Sequence, residues 1–568
     1  MSYVYGLKMD LSFSSYITIL PAAVIPVLLF FKRSEKTIHR FLLFYTSCWI
    51  ILLAIIYTID AELFSFWGFR LDNTIFRYSG TFSEATESSF SSPLYILFSF
   101  CILYSYVFIT AYKKIFGVIH FSDIRVIQIP VTLFSAALLV IPIRGGLQQV
   151  PLNESVSYYS THAFLNQAAL NPAWTLARSV IEHNSTKVDH YQFFSSAEVQ
   201  KNILNHTDRT DSKIMSPLNT TRPNIVLIVW ESLTSKVLNE TVTPNLYSLL
   251  KDGIYFSNLY ASGDRSDKGL VALLSAYPAQ PDFSIMTEPA KSRKLPFITR
   301  QLKDAGYKTC YMYGGELEFA NMRSYMNYNG FDEILGKKDF KNAPKGVWGA
   351  HDEATFKLLF DKLQVAATKK DPFFYTLFTL SSHEPYDIPS KPFFSGSSKT
   401  VQFQSSHHYT DSCFFDFIQK AHKQTWWKNT WVIVVADHGH VLPGSDYATH
   451  NPSEFKIPML WLGGAIKNAT TVKETRQQVS LAPSIAQYLK LRPEEFSFAR
   501  PLNLKDTTQK ISWYSYNDGF ALAYNQTDFV QFDLTTDTPS AQNGFVKPDE
   551  LTWGKAFLQL LMEDFYRK

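Results

Sequence analysis

The sequence predicts an α-helical membrane anchor joined to an α/β domain, its mostly parallel sheet sandwiched by helices. Three observations carry this. Residues 1–143 contain four long stretches without a charged residue. Beyond Arg222, short continuous apolar runs rich in β-branched residues alternate with helical patterns. Several of those runs end in carboxylates or histidines.

A chain of 568 residues is long enough for two or more structural units. A net charge of +4, with no basic stripe interleaved with aromatics, argues against nucleic acid as a partner. The four cysteines, Cys48, Cys101, Cys310 and Cys413, are too few for a disulfide scaffold, and none forms a CxxC pair. The sequence leaves a Cys310–Cys413 pairing open.

The charge-free stretches are 11–31, 41–59, 92–112 and 126–143, each about long enough to cross a bilayer. One such stretch could be a buried core helix; four in succession, separated by polar loops, read as a transmembrane domain over 1–143. Without Asp, Glu, Lys or Arg inside the spans, the role is anchoring rather than ion conduction. Loop 32–40 carries Lys32, Arg33, Lys36 and Arg40 against Glu35, and loop 113–125 carries Lys113, Lys114 and Arg125 against Asp123. Loop 60–91 balances Arg70 and Arg77 with five acids. The positive-inside rule places the two basic loops in the cytoplasm and everything after 143 outside. An N-terminus left outside without a signal peptide predicts a further membrane helix before Met1.

Residues 144–222 form a polar linker with short helices, one predicted over 163–181. Its N-x-[ST] triplets, such as Asn184-Ser185-Thr186, carry no meaning in a bacterium. A catalytic domain is predicted over 223–505, with strands at Asn224–Trp230, Lys308–Tyr313, 373–380 and 431–436. Helices are predicted over 295–305, stopped by Gly306, and over 408–425. Residues 506–568 read as a small C-terminal subdomain of aromatic strands and a final helix at 550–567, packed on a sheet edge.

In open α/β sheets ligands bind beyond the carboxyl ends of the strands. Glu231-Ser232 follows the first strand, Ser381-Ser382-His383-Glu384-Pro385 follows the third and Asp437-His438-Gly439-His440 the fourth. Glu231, His383, Asp437 and His438 thus reach one rim, where carboxylates and imidazole suit a divalent Mn, Zn or Mg ion. Singly, each has a bland reading as a solvated turn residue. Ser266 stands at or just before a helix start, where the bland reading is an N-cap. A helix N-terminus also draws phosphate oxygens, and a serine hydroxyl there beside a divalent metal could attack phosphorus. Arg265 and Lys268 would add positive charge.

These motifs together resemble the lipoteichoic acid synthase and phosphoglycerol transferase family, within the alkaline phosphatase and sulfatase superfamily. The likeness spans membrane helices, a helical linker and an extracytoplasmic sulfatase-like domain. It implies Glu231, Ser266, Asp437 and His438 as metal ligands, Mn foremost, and Ser266 as the nucleophile that becomes covalently modified. It makes His383, in Ser382-His383-Glu384-Pro385-Tyr386, the histidine that meets substrate phosphate, with His450 another active-site histidine. Two departures stand out. Serine replaces the more usual threonine at 266. The family's Phe-Trp-Asn-Arg stretch, which helps hold glycerol phosphate, corresponds to Phe319-Ala320-Asn321-Met322-Arg323, without the tryptophan and with the arginine displaced.

The resemblance implies a multi-pass enzyme of the bacterial cytoplasmic (inner) membrane with its catalytic domain in the periplasm. It would move a phosphoglycerol-type headgroup from a phospholipid donor to a glycan or polymer hydroxyl, with Arg265, Lys268, Asn321, Arg323, His383 and His450 binding substrate. The alternatives are a phosphoethanolamine transferase, a phosphodiesterase or sulfatase-type hydrolase, and a non-catalytic envelope binding protein. Asp267-Lys268-Gly269 does not supply the Cys/Ser-x-Pro-x-Arg motif of formylglycine sulfatases.

Overall fold

A computed structural model of the protein describes residues 2–31, 35–67, 70–72, 94–117, 128–160, 163–184, 191–206, 215–369, 371–444, 450–504, 511–525, 527–544 and 547–568. The chain divides into two compact units, Met1–Lys187 and Val188–Lys568.

The first unit contains helices α1 (Ser2–Phe30), α2 (Glu35–Trp67) and α3 (Leu94–Phe116). Spans Ser2–Leu28, Glu35–Phe64 and Tyr95–Phe116 within them are long and apolar enough to cross a membrane. Phe44, Phe98 and Tyr106 stand exposed on them, a surface suited to lipid rather than water. α2 runs past the expected end of its span, and Asp60 near its C-terminus accepts hydrogen bonds from Arg70 Nη1 (2.6 Å) and Leu71 N (2.8 Å). The fourth apolar stretch forms two shorter helices, α4 (Gln128–Leu138) and α5 (Val140–Arg144), interrupted at Leu139. Pro142 explains the interruption, since it has no N–H to donate to the carbonyl of Leu138. Both pack on α1, where Ser12 Oγ donates to the Ile143 carbonyl at 2.8 Å. Much of the loop sequence behind the orientation argument, residues 32–34, 68–69, 73–93 and 118–127, lies outside the described residues.

The helix expected over 163–181 is two helices, α6 (Ala163–Ala169) and α7 (Pro172–Asn184). Asn171 caps the second by accepting from Trp174 N at 2.9 Å, with Pro172 at the first helical position. The linker as read from sequence is shared: residues up to 187 group with the membrane helices, and those from 188 with the sheet unit.

The second unit opens with α8 (Ser196–His206) and continues into a nine-stranded sheet. Its strands are β1 (Asn224–Trp230), β2 (Ile254–Tyr260), β3 (Lys308–Tyr313), β4 (Glu333–Leu335), β5 (Phe373–Phe378), β6 (Thr430–Ala436), β7 (Lys456–Leu462), β8 (Thr470–Val472) and β9 (Arg476–Gln477). The order is β4-β3-β5-β1-β6-β7-β2-β8, with β9 also pairing β2. All pairings are parallel except those of β7 with β6 and β2. The central strand β1 lies between β5 and β6 and is buried on both faces from Ile225 to Trp230, which is why its sequence is a continuous apolar run.

Helices α9 (Ser266–Ser275), α10 (Ile298–Asp304), α11 (Met322–Asn329), α12 (Asp352–Ala367), α13 (Lys399–His422) and α14 (Leu481–Tyr488) belong to this unit. α10 stops as expected: Gly306 takes φ +85° and Tyr307 N bonds back to the Leu302 carbonyl at 3.0 Å. α13 starts nine residues before the sequence-predicted boundary because Ser398 caps it, accepting from Val401 N.

The C-terminal segment forms a four-stranded antiparallel sheet, β10 (Ser512–Tyr516), β11 (Gly519–Ala523), β12 (Phe529–Asp533) and β13 (Thr538–Asn543), followed by α15 (Pro548–Arg567). It is tied to the larger body by Ser515 N to the Ser262 carbonyl (3.0 Å) and Ser515 Oγ to the Ala279 carbonyl (2.9 Å). All four cysteines are free thiols, so Cys310 and Cys413 do not pair.

Because Gly306 holds a left-handed conformation, Gly306→Ala is expected to cost about 1 kcal/mol, measured as a lower urea midpoint for the sheet unit in the detergent-solubilised protein.

Candidate metal and nucleophile site

The parallel strands β1, β5 and β6 end side by side, and the chain turns polar as each leaves the sheet. After β1 come Glu231 and Ser232, after β5 Thr379 to His383, and after β6 Asp437 and His438. The turns are bonded to one another. Ser232 adopts φ +57°, and its N–H donates to Asp437 Oδ1 at 2.8 Å while its hydroxyl donates to Glu231 Oε1 at 2.6 Å. Glu231 N donates to Thr379 Oγ1 at 2.9 Å, and Ser382 Oγ donates to the Glu231 carbonyl at 2.6 Å. Asp352, at the start of α12, accepts from Leu380 N (2.7 Å), Ser381 N (3.2 Å) and Thr410 Oγ1 (2.6 Å), pinning the loop that carries His383.

Ser266 is the first residue of α9, with Arg265 in extended backbone before it. Its Oγ lies 3.2 Å from Glu231 Oε2 and 3.5 Å from His438 Nε2. Gly269 makes that approach possible: a Cβ there would sit 2.0 Å from the Asp437 carbonyl oxygen, so only glycine lets α9 lie flush on the end of β6. Gln478 reinforces the junction, donating to the Ala436 (2.9 Å) and Asp437 (2.6 Å) carbonyls while accepting from Ser262 N (3.0 Å).

Glu231, Asp437 and His438 are buried, and each offers a ligand atom within 4.8 Å of the others. Asp437 Oδ2 is buried without a hydrogen-bond partner. Burial and the adjacent Glu231 push the Asp437 carboxyl above the usual range. Burial opposes charging of His438, but Asp437 and Glu231 outweigh it and hold the imidazole above its ordinary pKa. Two neighbouring buried carboxylates, one with an orphaned oxygen, call for a cation. Two carboxylates, an imidazole and a hydroxyl fit a hard-to-borderline divalent ion.

His383 borders the space in front of Ser266. Its Nδ1 lies 2.7 Å from the Glu384 carbonyl oxygen, so Nδ1 carries a proton and Nε2 is left for a ligand. The other sequence candidates are placed differently. Arg265 is exposed beside Ser266. Lys268, expected near the transferred group, is buried, and its ammonium is held by Asp264 Oδ1 (3.0 Å) and the Pro281 carbonyl (2.7 Å), so it ties down the loop before α9 instead. The Asn321 amide donates to the Thr287 carbonyl at 2.8 Å, and Arg323 Nε pairs with Glu318 at 3.1 Å. His450 stacks on Tyr516, ring centroids 4.3 Å apart, and is not among the groups gathered at Ser266.

Sequence reasoning missed Glu316 and Trp348, which both border the space beside Ser266. Glu316 follows β3, so the strand-end rule applied once more would have found it. Trp348 lies in a long loop, where nothing local marks it.

The sulfatase family model matches residues 223–491. The chain is 24% identical over 230 residues to the lipoteichoic acid synthase-like YvgJ of Bacillus subtilis (strain 168), covering 38% of this chain and 36% of that protein. It is 25% identical over 325 residues to phosphoglycerol transferase I of Xanthomonas euvesicatoria pv. vesicatoria (strain 85-10), covering 51% of this chain and 44% of that protein. It thus spans less than half the length of either relative. A protein in the alkaline phosphatase superfamily from Vibrio parahaemolyticus superposes with a TM-score of 0.58 at 22% identity, covering 67% of this chain and 98% of that one. The lipoteichoic acid synthase LtaP from Listeria monocytogenes does so at 0.54 and 16%, covering 66% and 98%. These likenesses show the alkaline phosphatase and sulfatase fold. Within residues 223–491, the strands that build the fold are the strands that deliver the site.

Glu231→Gln and Asp437→Asn are each expected to lower the divalent metal retained by the purified full chain at least about tenfold, read by elemental mass spectrometry. Gly269→Ala, by lifting α9 from β6, is expected to act in the same direction.

Proposed function

We propose that the chain is a membrane-anchored, metal-dependent phosphotransferase that moves a phospholipid-derived headgroup through a covalent Ser266 intermediate to a glycan or polymer hydroxyl. The observation that carries this reading is the position of Ser266 Oγ at a helix start, within 3.5 Å of both Glu231 and His438. The name of the Xanthomonas relative, phosphoglycerol transferase I, supports headgroup transfer as the kindred chemistry.

A divalent ion held by Glu231, Asp437, His438 and Ser266, Mn foremost, would supply Lewis acidity and lower the pKa of the hydroxyl. Ser266 Oγ forms a bond to phosphorus, the bond from phosphorus to the diacylglycerol oxygen breaks, and the serine proton leaves with diacylglycerol. The exposed Arg265 meets phosphoryl oxygens at the start of α9, where helix N–H groups also point. His383, oriented by the Glu384 carbonyl, presents Nε2 to the phosphoryl group and, when protonated, donates from it. The acceptor oxygen then bonds to phosphorus, the Ser266 Oγ–P bond breaks, and the acceptor's proton returns to Ser266 Oγ. Three apolar helices keep the site near its lipid donor. In this reading the apolar helices lie in the bacterial inner membrane and residues 223–491 face the periplasm.

Ser266→Ala is expected to abolish the covalent adduct and lower headgroup transfer by on the order of a thousandfold or more, followed by mass spectrometry and diacylglycerol release from vesicles. Stripping with a chelator should have the same effect, with Mn restoring activity to wild type but not to the variant. Substantial transfer by Ser266→Ala would remove the serine from this role.

A further inference from the structure

The space beside Ser266 is walled mainly by aromatic rings and one carboxylate. Met322 and His383 complete the lining with Ser266, and part of the space is open to solvent, so a bound headgroup would be only partly enclosed. Tyr313, Phe319, Trp348 and Phe378 supply the rings, and Glu316 the charge. The rings are held in place. Tyr313 stacks on Phe378 with centroids 4.9 Å apart. Trp348 donates from Nε1 to the Glu384 carbonyl at 2.7 Å and meets His383 edge-on at 5.0 Å. Lys337 Nζ stands 3.3 Å from Glu316 Oε1, and Oε2 accepts no hydrogen bond among the described residues.

This lining offers little to a diol. A diol could donate to Glu316, but other side-chain partners nearby are few: the Asn321 amide and the Arg323 guanidinium already serve the Thr287 carbonyl and Glu318. Ala320, between Phe319 and Asn321, has no polar atom in its side chain. A cation is better served, because aromatic faces attract it through their quadrupoles and the carboxylate through its charge.

We propose that the pocket selects a phospho-headgroup ending in an ammonium, an aminoethyl phosphate ester, over a phosphoglycerol one, with Glu316 and Trp348 as the selecting residues. This rests on the headgroup-transfer reading above and names its substrate class. In the step, the aminoethyl group stays on phosphorus. The Ser266 Oγ–P bond forms, the P–O bond to diacylglycerol breaks, and the serine proton ends on the diacylglycerol hydroxyl.

The test uses the full-length chain with Mn and separate vesicles containing phosphatidylethanolamine or phosphatidylglycerol, reading diacylglycerol release and the mass added to Ser266. The expected result is an aminoethyl phosphate adduct and release at least about tenfold faster from phosphatidylethanolamine. Glu316→Gln should lower the ratio of the two rates about tenfold, and Trp348→Leu should lower it in the same direction, with melting temperatures confirming that both variants fold. A soluble arm with glycerophosphoethanolamine separates a headgroup recognised on a lipid from one recognised free, and an aminoethyl phosphate adduct in either arm supports the selectivity. Faster release from phosphatidylglycerol, or a ratio unmoved by Glu316→Gln, would overturn it while leaving headgroup transfer standing. No release and no adduct with any donor would overturn the transfer reading and the selectivity with it.

Discussion

The site depends on two carboxylates, Glu231 and Asp437, being buried side by side at the ends of adjacent parallel strands. Alone, such an arrangement is costly, since neither charge can be solvated and each raises the energy of the other. Several features hold it together. The left-handed turn at Ser232 aims an N–H at Asp437 and a hydroxyl at Glu231. His438 stands beside both, its Nε2 3.6 Å from Glu231 and 3.4 Å from Asp437. The flush contact at Gly269 brings the start of α9, and with it Ser266, to the same point. A divalent cation would complete this logic, because it would turn a mutual repulsion into a shared attraction.

Several strands of the same sheet meet around Ser266. The central strands β1, β5 and β6 lead into the proposed ligands and His383 and lie inside the sheet, each paired on both sides. Of the residues lining the space beside Ser266, Tyr313 ends β3 and Phe378 ends β5, whereas Glu316, Phe319 and Trp348 come from the chain after β3. The stretch 319–323 contributes Phe319 and Met322 to that lining.

Much of this was legible in the sequence. Continuous apolar runs marked β1, β3, β5 and β6, and reading what followed each run found Glu231, His383, Asp437 and His438. The helix start marked Ser266. What escaped depends on contacts distant in sequence. Lys268 reads as a free cation near phosphate, but its partners Asp264 and the Pro281 carbonyl are fixed only by the fold. Asn321, Arg323 and His450 sit where a motif would place them, yet packing with Thr287, Glu318 and Tyr516 decides where they point. Trp348 has no periodicity to betray it. In the membrane unit, apolar length was evident, whereas the break at Leu139 follows from a proline three residues on.

The most direct test is anomalous diffraction at the Mn edge from crystals of the full chain grown with Mn. The account predicts a peak within about 2 Å of oxygen or nitrogen atoms of Glu231, Asp437 and His438, with Ser266 Oγ completing the set. Saturating Mn with no peak among those side chains, or a peak that leaves Ser266 beyond coordination reach, would contradict it.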